Sequence, residues 1–226
     1  MIVAIAGRIT AIACRPNRSA APALAESVRL LAGVGVVGDF HADPSSPRQL
    51  LLASASAYRE FSLPAHALRE NLLLDLDTAC LNSGTVLRIG AGVRLRMMFQ
   101  CEACGQLDLV QPRLAQRLGN RRGMLARVLT GGVVRTGDPV FDLGILAPSW
   151  SDDWRERVRR VLEAVPPGWI VESRDLARLA GIPSSYCRAM PNLLKRFGAA
   201  YAAKAVSSQA APALARWHGE GLFDQE

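Results

Sequence analysis

The apolar positions of the chain change their period partway along it. Up to about Ile145 they come in short runs: Val86-Leu87-Arg88-Ile89, then Val93-Arg94-Leu95-Arg96-Met97, then Val133-Val134. Apolar and polar residues alternate in the second run, and period two predicts half-buried strands. Gly90-Ala91-Gly92 and Gly137-Asp138-Pro139 predict the turns between them. The apolar opening from Met1 to Gly7 reads as a first strand. Helices are predicted over Leu24 to Leu31, Ala53 to Phe61 and Arg113 to Leu118. Many short strands need their edges covered, so the sheet is expected to be closed or strongly curved.

From Ser151 the pattern turns helical. Leu146 to Asp152 reads as a linker, with a helix N-cap at Ser151 or Asp152. Trp154, Val158, Val161 and Leu162 then recur at helical spacing through Asp153 to Ala164. Pro166-Pro167-Gly168 ends that helix, and Trp169-Ile170-Val171 predicts a short strand. Ser173 can cap a helix from Arg174 to Ala180, Gly181 closes it, and Ser184 to Phe197 predicts another. Helix, glycine turn, helix is the helix-turn-helix pattern. Trp154, Trp169 and Trp217 are expected to be buried anchors, and Met190 and Leu194 core residues. No internal repeat or low-complexity tract is present.

Composition narrows the class. Half of the 226 residues are hydrophobic, enough for a packed core and too many for a disordered chain. Five cysteines, Cys14, Cys80, Cys101, Cys104 and Cys187, are too few and odd in number for a disulfide framework. The N-terminus lacks the basic region of a signal peptide. No apolar run reaches the length of a membrane span, about 18 residues. A reduced, cytoplasmic protein is expected. The net charge of +7 admits anionic partners: nucleic acid, an anionic cofactor or a membrane surface.

Charge and sulfur meet in one segment. Cys101-Glu102-Ala103-Cys104-Gly105 ends the alternating strand, inside a stretch from Arg94 to Arg135 holding eight arginines and two acids, Glu102 and Asp108. Positive charge favours thiolates, which are the nucleophiles and metal ligands. The pair can be half of a zinc site, a redox dithiol or two buried small residues; zinc needs two more ligands, and no paired spacing supplies them. Cys101 is the favoured functional sulfur and metal ligand, with Cys104 as its partner or resolving thiol. His41 is a candidate acid or base near neutral pH. Asp39 and Asn71 are candidate ligand contacts. Arg121 and Arg122 offer forked donors suited to a phosphate, and Arg48 is similar.

These residues carry a resemblance. Gly35-Val36-Val37-Gly38-Asp39-Phe40-His41, Arg48-Gln49-Leu50-Leu51-Leu52, Arg69-Glu70-Asn71-Leu72, Gly84 to Gly90, the Cys101/Cys104 pair, Arg122-Gly123 and Gly137-Asp138-Pro139-Val140 follow one another as in MOSC domains (molybdenum cofactor sulfurase C-terminal domains). The resemblance covers about residues 1 to 145. It implies a β-barrel-like fold that handles molybdenum cofactor or carries sulfur as a cysteine persulfide.

A second resemblance covers about residues 152 to 226. Val158 to Val165 with Pro166-Pro167-Gly168, and Arg174 to Gly181, are similar to the winged helix of O6-alkylguanine-DNA alkyltransferases and alkyltransferase-like proteins. Cys187-Arg188-Ala189-Met190 falls where that family has its arginine finger, and Val206-Ser207-Ser208-Gln209 and Leu222-Phe223-Asp224 resemble its downstream segment. Tyr201-Ala202-Ala203-Lys204-Ala205 stands where the alkyl-accepting Pro-Cys-His-Arg belongs, and Ser173 replaces the nucleotide-rotating tyrosine. Alkyl transfer is therefore not expected. Arg188, Lys195, Arg196 and Lys204 are the candidate DNA contacts, in a segment from Ser184 to Lys204 without an acid.

The expected architecture is an α+β multidomain chain: a β-rich MOSC-type barrel at 1–147 and a small, mainly α winged helix at 152–226. The expected function is molybdenum-cofactor binding or sulfur carriage, with Cys101 as metal ligand or persulfide-bearing thiol, directed to DNA by the C-terminal part. The alternative is a non-enzymatic DNA-binding sensor of modified or damaged bases. The expected partners are an anionic pterin cofactor, DNA and a sulfur donor protein, without a membrane.

Overall fold

The structure is a computed structural model that describes residues 4–207 and 214–224. Ser208 and Gln209 of the second resemblance lie outside the described residues. Two compact units divide the chain, one of residues 1–44 and 48–150, the other of residues 45–47 and 151–226.

The strands of the first unit are β1 (Ile5–Cys14), β2 (Ala23–Ala25), β3 (Ser27–Leu31), β4 (Gly35–Val36), β5 (Leu50–Ser54), β6 (Leu72–Leu74), β7 (Thr85–Ile89), β8 (Val93–Gln100), β9 (Met124–Thr130), β10 (Gly132–Arg135) and β11 (Pro139–Ile145). Its helices are α1 (Ala55–Glu60) and α2 (Leu114–Leu118). Seven strands in the order β11-β7-β8-β9-β5-β6-β1 close into a barrel, because β1 also pairs with β11. Closure leaves no edge among the seven. β2 extends the sheet beside β1, and β10-β3-β4 form a separate three-stranded sheet. All barrel pairings are antiparallel except β5 with β6. That parallel pair requires a crossover, and α1 with residues 61–71 supplies it.

Ile9, Ile12, Leu50, Leu52, Leu72, Leu87, Leu95, Met97 and Met124 fill the barrel. A second cluster of Ala53, Ala57, Leu68, Leu107, Leu114 and Leu118 fastens α1, α2 and the 62–70 loop. The period-two reading of β8 holds only in part, since Arg96 is buried together with its apolar neighbours. Its guanidinium donates to Pro148 O at 2.6 Å.

The helix expected over Leu24 to Leu31 is instead β2 and β3. Val28 and Leu30 point inward while Ser27, Arg29 and Leu31 are exposed, so period two governs the segment. Its register against β10 pairs Val28 with Val134. Tertiary pairing overrides the helical propensity of the alanine- and leucine-rich stretch.

The second unit holds α3 (Trp154–Ala164), β12 (Trp169–Glu172), α4 (Ser173–Leu179), α5 (Met190–Phe197), α6 (Ala199–Ala202), β13 (Ala205–Val206) and β14 (Ala215–Arg216). β12 pairs parallel with both β13 and β14. Among the described residues no antiparallel hairpin forms a wing. The cap of α3 is Asp153, whose carboxylate accepts from Arg155 N at 2.9 Å, not Ser151 or Asp152. Glu172 takes the cap position before α4, and Ser173 instead donates to Val206 O at 3.0 Å.

The helix expected from Ser184 to Phe197 is broken into a 3-10 turn (Ser184–Arg188) and α5. Pro191 can sit only in the first turn of a helix, so α5 starts afresh at Met190. Arg157, 1% exposed, donates to Ala180 O, Ser151 O and Asp152 O at 2.9 Å each and ties α3 to the end of α4. Met190 and Leu194 are core residues. Trp217 is buried, whereas Trp169 is 43% exposed.

Candidate functional site

Where β8 ends and β9 begins, the ladder runs one step past its last paired strand residues. Cys101 N donates to Gly123 O at 2.8 Å, which sets the thiol segment beside Arg122. Gly123 has φ +130, and a Cβ there would overlap Leu52 O, so only glycine lets β9 start so close to β5.

Cys101 is 2% exposed and lies at the barrel rim, with Arg48 Nη2 at 3.8 Å from its sulfur. Cys104 is half-buried. One Arg122 terminal nitrogen donates to Cys104 Sγ at 3.2 Å and to Glu102 O at 2.6 Å. Burial works against the Arg122 charge, but the two sulfurs and Glu102 outweigh it and raise its pKa. Arg122 Nε is buried without a partner.

The chain makes no turn between the cysteines. Both cysteines are free, with no disulfide between them. Among the described residues no group of three or more His, Cys, Asp or Glu is placed to hold a metal ion, so the zinc reading lacks its remaining ligands.

Asp39 and Asn71 turn inward. Asp39 Oδ2 accepts from Arg15 N and Asn71 Nδ2, both at 2.9 Å, and Oδ1 accepts from His41 N at 2.9 Å. Asn71 Oδ1 accepts from Leu51 N at 3.0 Å. Burial pushes the Asp39 pKa up, but the hydrogen bonds from His41 and Arg15 prevail and lower it. Burial, then the nearby Asp39 charge, raises the Cys14 thiol pKa. Both candidate ligand contacts are thus spent on joining β1, β5 and the Gly38 turn. His41 stays half-exposed, its Nδ1 at 3.3 Å from Asp39 Oδ1.

A second buried carboxylate, Glu70, accepts from Tyr58 Oη at 2.6 Å and lies 3.1 Å from His66 Nδ1. Tyr58 Oη also accepts from Leu68 N at 3.1 Å. Burial first, then the Glu70 charge, pushes the Tyr58 pKa up strongly, and the Glu70 hydrogen bond raises that of His66.

The basic stretch disperses. Arg121 is exposed and pairs with Glu60, away from the thiols, because consecutive residues diverge in direction. Arg127 is buried on Pro44 O at 3.1 Å. Arg122 is the member whose guanidinium bonds a thiol sulfur, and Arg48 joins from outside the stretch. Sequence reasoning missed Arg15 and Arg69. The Arg15 pKa is lowered by burial first and then by Arg69, with smaller effects from Arg122 and Arg18, so these guanidinia share one field.

In the second unit Arg188, Lys195 and Arg196 are exposed. Lys204 is not available as a DNA contact in the same way. Its ammonium donates to Leu162 O at 2.7 Å and Val165 O at 3.3 Å, satisfying the C-terminal carbonyls of α3. No helix among the described residues is long and apolar enough to cross a membrane.

Residues 42–141 match the family model described as the MOSC domain. The YuaD protein from Bacillus subtilis is similar in structure, with TM-score 0.53 at 19% identity, over 59% of this chain and 93% of that one. YiiM from Geobacillus stearothermophilus is similar with TM-score 0.52 at 14% identity, over 83% of this chain and 99% of that one. No curated protein matches the chain. At such identities the likeness speaks for the fold alone, a seven-stranded barrel of MOSC type. The family-model match at residues 42–141 and the fold of these neighbours thus agree on a MOSC-type barrel.

Proposed function

We propose that the barrel handles a molybdopterin-type cofactor or carries sulfur on a cysteine, with Cys104 as the sulfur that meets the ligand. The observation that carries this reading is the Arg122 guanidinium, shared between Cys104 Sγ and Glu102 O with its Nε left without a partner. A buried donor without an acceptor is costly, and an anionic group in the site would satisfy it. The favoured sulfur moves from Cys101 to Cys104 because Cys101 is 2% exposed. Cys101, with Arg48 beside it, is then the buried member of the pair.

The residues fit such a cofactor. A group that brings its own metal needs a single soft protein donor rather than a closed cage, and thiolate is that donor. When bound, the cofactor supplies redox chemistry at its metal. Cys104 would ligate it, and Arg122 and Arg48 would hold its anionic parts. Asp39 and Asn71 would act indirectly, by fixing the strands that carry the arginines, and His41 would exchange protons at the half-exposed Gly38 turn. As a sulfur carrier, Cys104 thiolate would attack the outer sulfur of a donor protein's persulfide. The new Sγ–S bond forms as the donor's S–S bond breaks, and the donor cysteine leaves as thiolate.

Metal analysis and intact mass of anaerobically purified protein test this. Molybdenum or a sulfur adduct is expected in the wild type and in Cys101→Ala, and is expected to be lost in Cys104→Ala. Retention in Cys104→Ala with loss in Cys101→Ala would return the role to Cys101; retention in both defeats the reading.

A second reading concerns the helical unit, whose exposed Arg188, Lys195 and Arg196 favour a DNA phosphate backbone as partner. On this reading the unit directs the barrel to DNA, or acts as a sensor without alkyl transfer. Fluorescence anisotropy with duplex DNA should show binding that weakens with salt and with Arg188→Ala. Lys204→Ala should act through stability alone.

A further inference from the structure

We propose that the cleft between Arg69 and Arg122 binds a small oxyanion, a single tetrahedral or trigonal group bearing two or more anionic oxygens. The cleft has a volume of about 130 Å³, and Ala67, Arg69, Gln106, Leu109, Val110 and Arg122 line it together with buried leucines. Drug-sized ligands occupy about 300 Å³ or more, so this space suits one compact group. No carboxylate lines it. The charge of its two guanidinia is therefore not neutralised within the cleft.

Arg69 is the less expected of the two. Its φ is +60, in the left-handed region that glycine occupies without cost. Ser62 and His66 of the same loop share that conformation, at φ +50 and +56. An arginine kept where glycine would be unstrained points to a function for its side chain. The neighbouring residues explain how it is held. Glu70 is buried against Tyr58 and His66, and Asn71 is bonded to Leu51 and Asp39. The backbone is thus fixed on the C-terminal side of Arg69. Its side chain is exposed and makes no hydrogen bond or ion pair among the described residues.

Arg122 also lines the cleft, and its buried Nε has no protein acceptor. Arg15 adds its charge to the same field. Two forked donors in one lining, with a neutral amide at Gln106 and apolar side chains at Leu109 and Val110, are complementary to a compact anion.

The proposal shares Arg122 with the functional reading above but not its thiols, so the two fail separately. Calorimetric titration at constant ionic strength compares inorganic phosphate, thiosulfate and phenyl phosphate. The wild type should bind at least one of them. Arg69→Gly should weaken that binding about ten- to hundredfold, the loss of a charge-assisted contact. Its melting temperature should hold or rise, since glycine relieves the strain. Arg121→Ala, whose side chain pairs with Glu60 and does not line the cleft, should keep the affinity. Tighter binding of phenyl phosphate assigns the site to the terminal group of a larger ligand; tighter binding of an inorganic anion assigns it to a free one. Equal affinity in Arg69→Gly, or no binding of any of the three by the wild type, overturns the proposal.

Discussion

Two polar clusters of the first unit solve opposite problems. Around Asp39 and Asn71 every side-chain bond is made within the domain, donors match acceptors, and the group ties strands together. Around Arg122 the donors outnumber the acceptors, a buried nitrogen lacks a partner, and like charges share one field. A satisfied buried network specifies a fold, while an unsatisfied one is costly unless a ligand completes it. The difference separates residues that build the site from residues that meet something in it.

The comparison breaks most visibly at Asn71. Asn71→Ala should cost about 2–4 kcal/mol, because it strands Leu51 N–H and takes from the buried Asp39 Oδ2 one of its two donors. Urea unfolding reads this directly, and a cost under about 0.5 kcal/mol, typical of surface substitutions, would move Asn71 out of the closed cluster.

The Glu70 clamp gives a smaller, pH-dependent effect. His66 has its pKa raised by Glu70, so its stabilisation is complete below the unfolded value of about 6.5 and is lost as pH rises through the higher folded value. The denaturation midpoint of the wild type should therefore decline above that range relative to His66→Gln. Parallel curves for the two proteins would show that the pair contributes nothing.

Least affected should be Arg121→Ala. The Arg121–Glu60 pair is exposed on both sides, and such pairs contribute at most about 1 kcal/mol. A shift of either anion affinity or sulfur loading in this variant would put Arg121 back among the ligand contacts.

The barrel was legible because its signals are local. Glycine turns and short apolar runs predicted the strands around Val86, Val93 and Val133, and the closed sheet follows from their number. Leu24 to Leu31 was misread as helix because its strand character comes from pairing partners, β1 for its start and β10, about a hundred residues later, for its end. The thiol pair and Arg122 were legible as chemistry in a basic run. Which sulfur is accessible was not, since burial of Cys101 depends on Gly123 and the packing of β9. Arg15 carried no signal of its own, and Arg69 stood out only as part of the Arg69-Glu70-Asn71-Leu72 motif. Arg69 matters through a backbone angle, and Arg15 through neighbours distant in sequence. Lys204 looked like a DNA contact because charge is visible in a sequence, whereas the carbonyls of Leu162 and Val165 that claim it are not.

The closing pair of the barrel joins Ile5 to Phe141 and Arg8 to Pro139. β1 leaves the ribosome about 130 residues before β11 and must therefore wait for one of the last segments of its own barrel. Until then β1 exposes its unpaired edge, and the nascent chain is open to pairing with another copy. Such long-range closure also slows folding relative to locally connected domains. For this barrel the order of synthesis and the order of assembly run in opposite directions, so the hazard of misassembly is greatest just before the residues around Pro139 emerge.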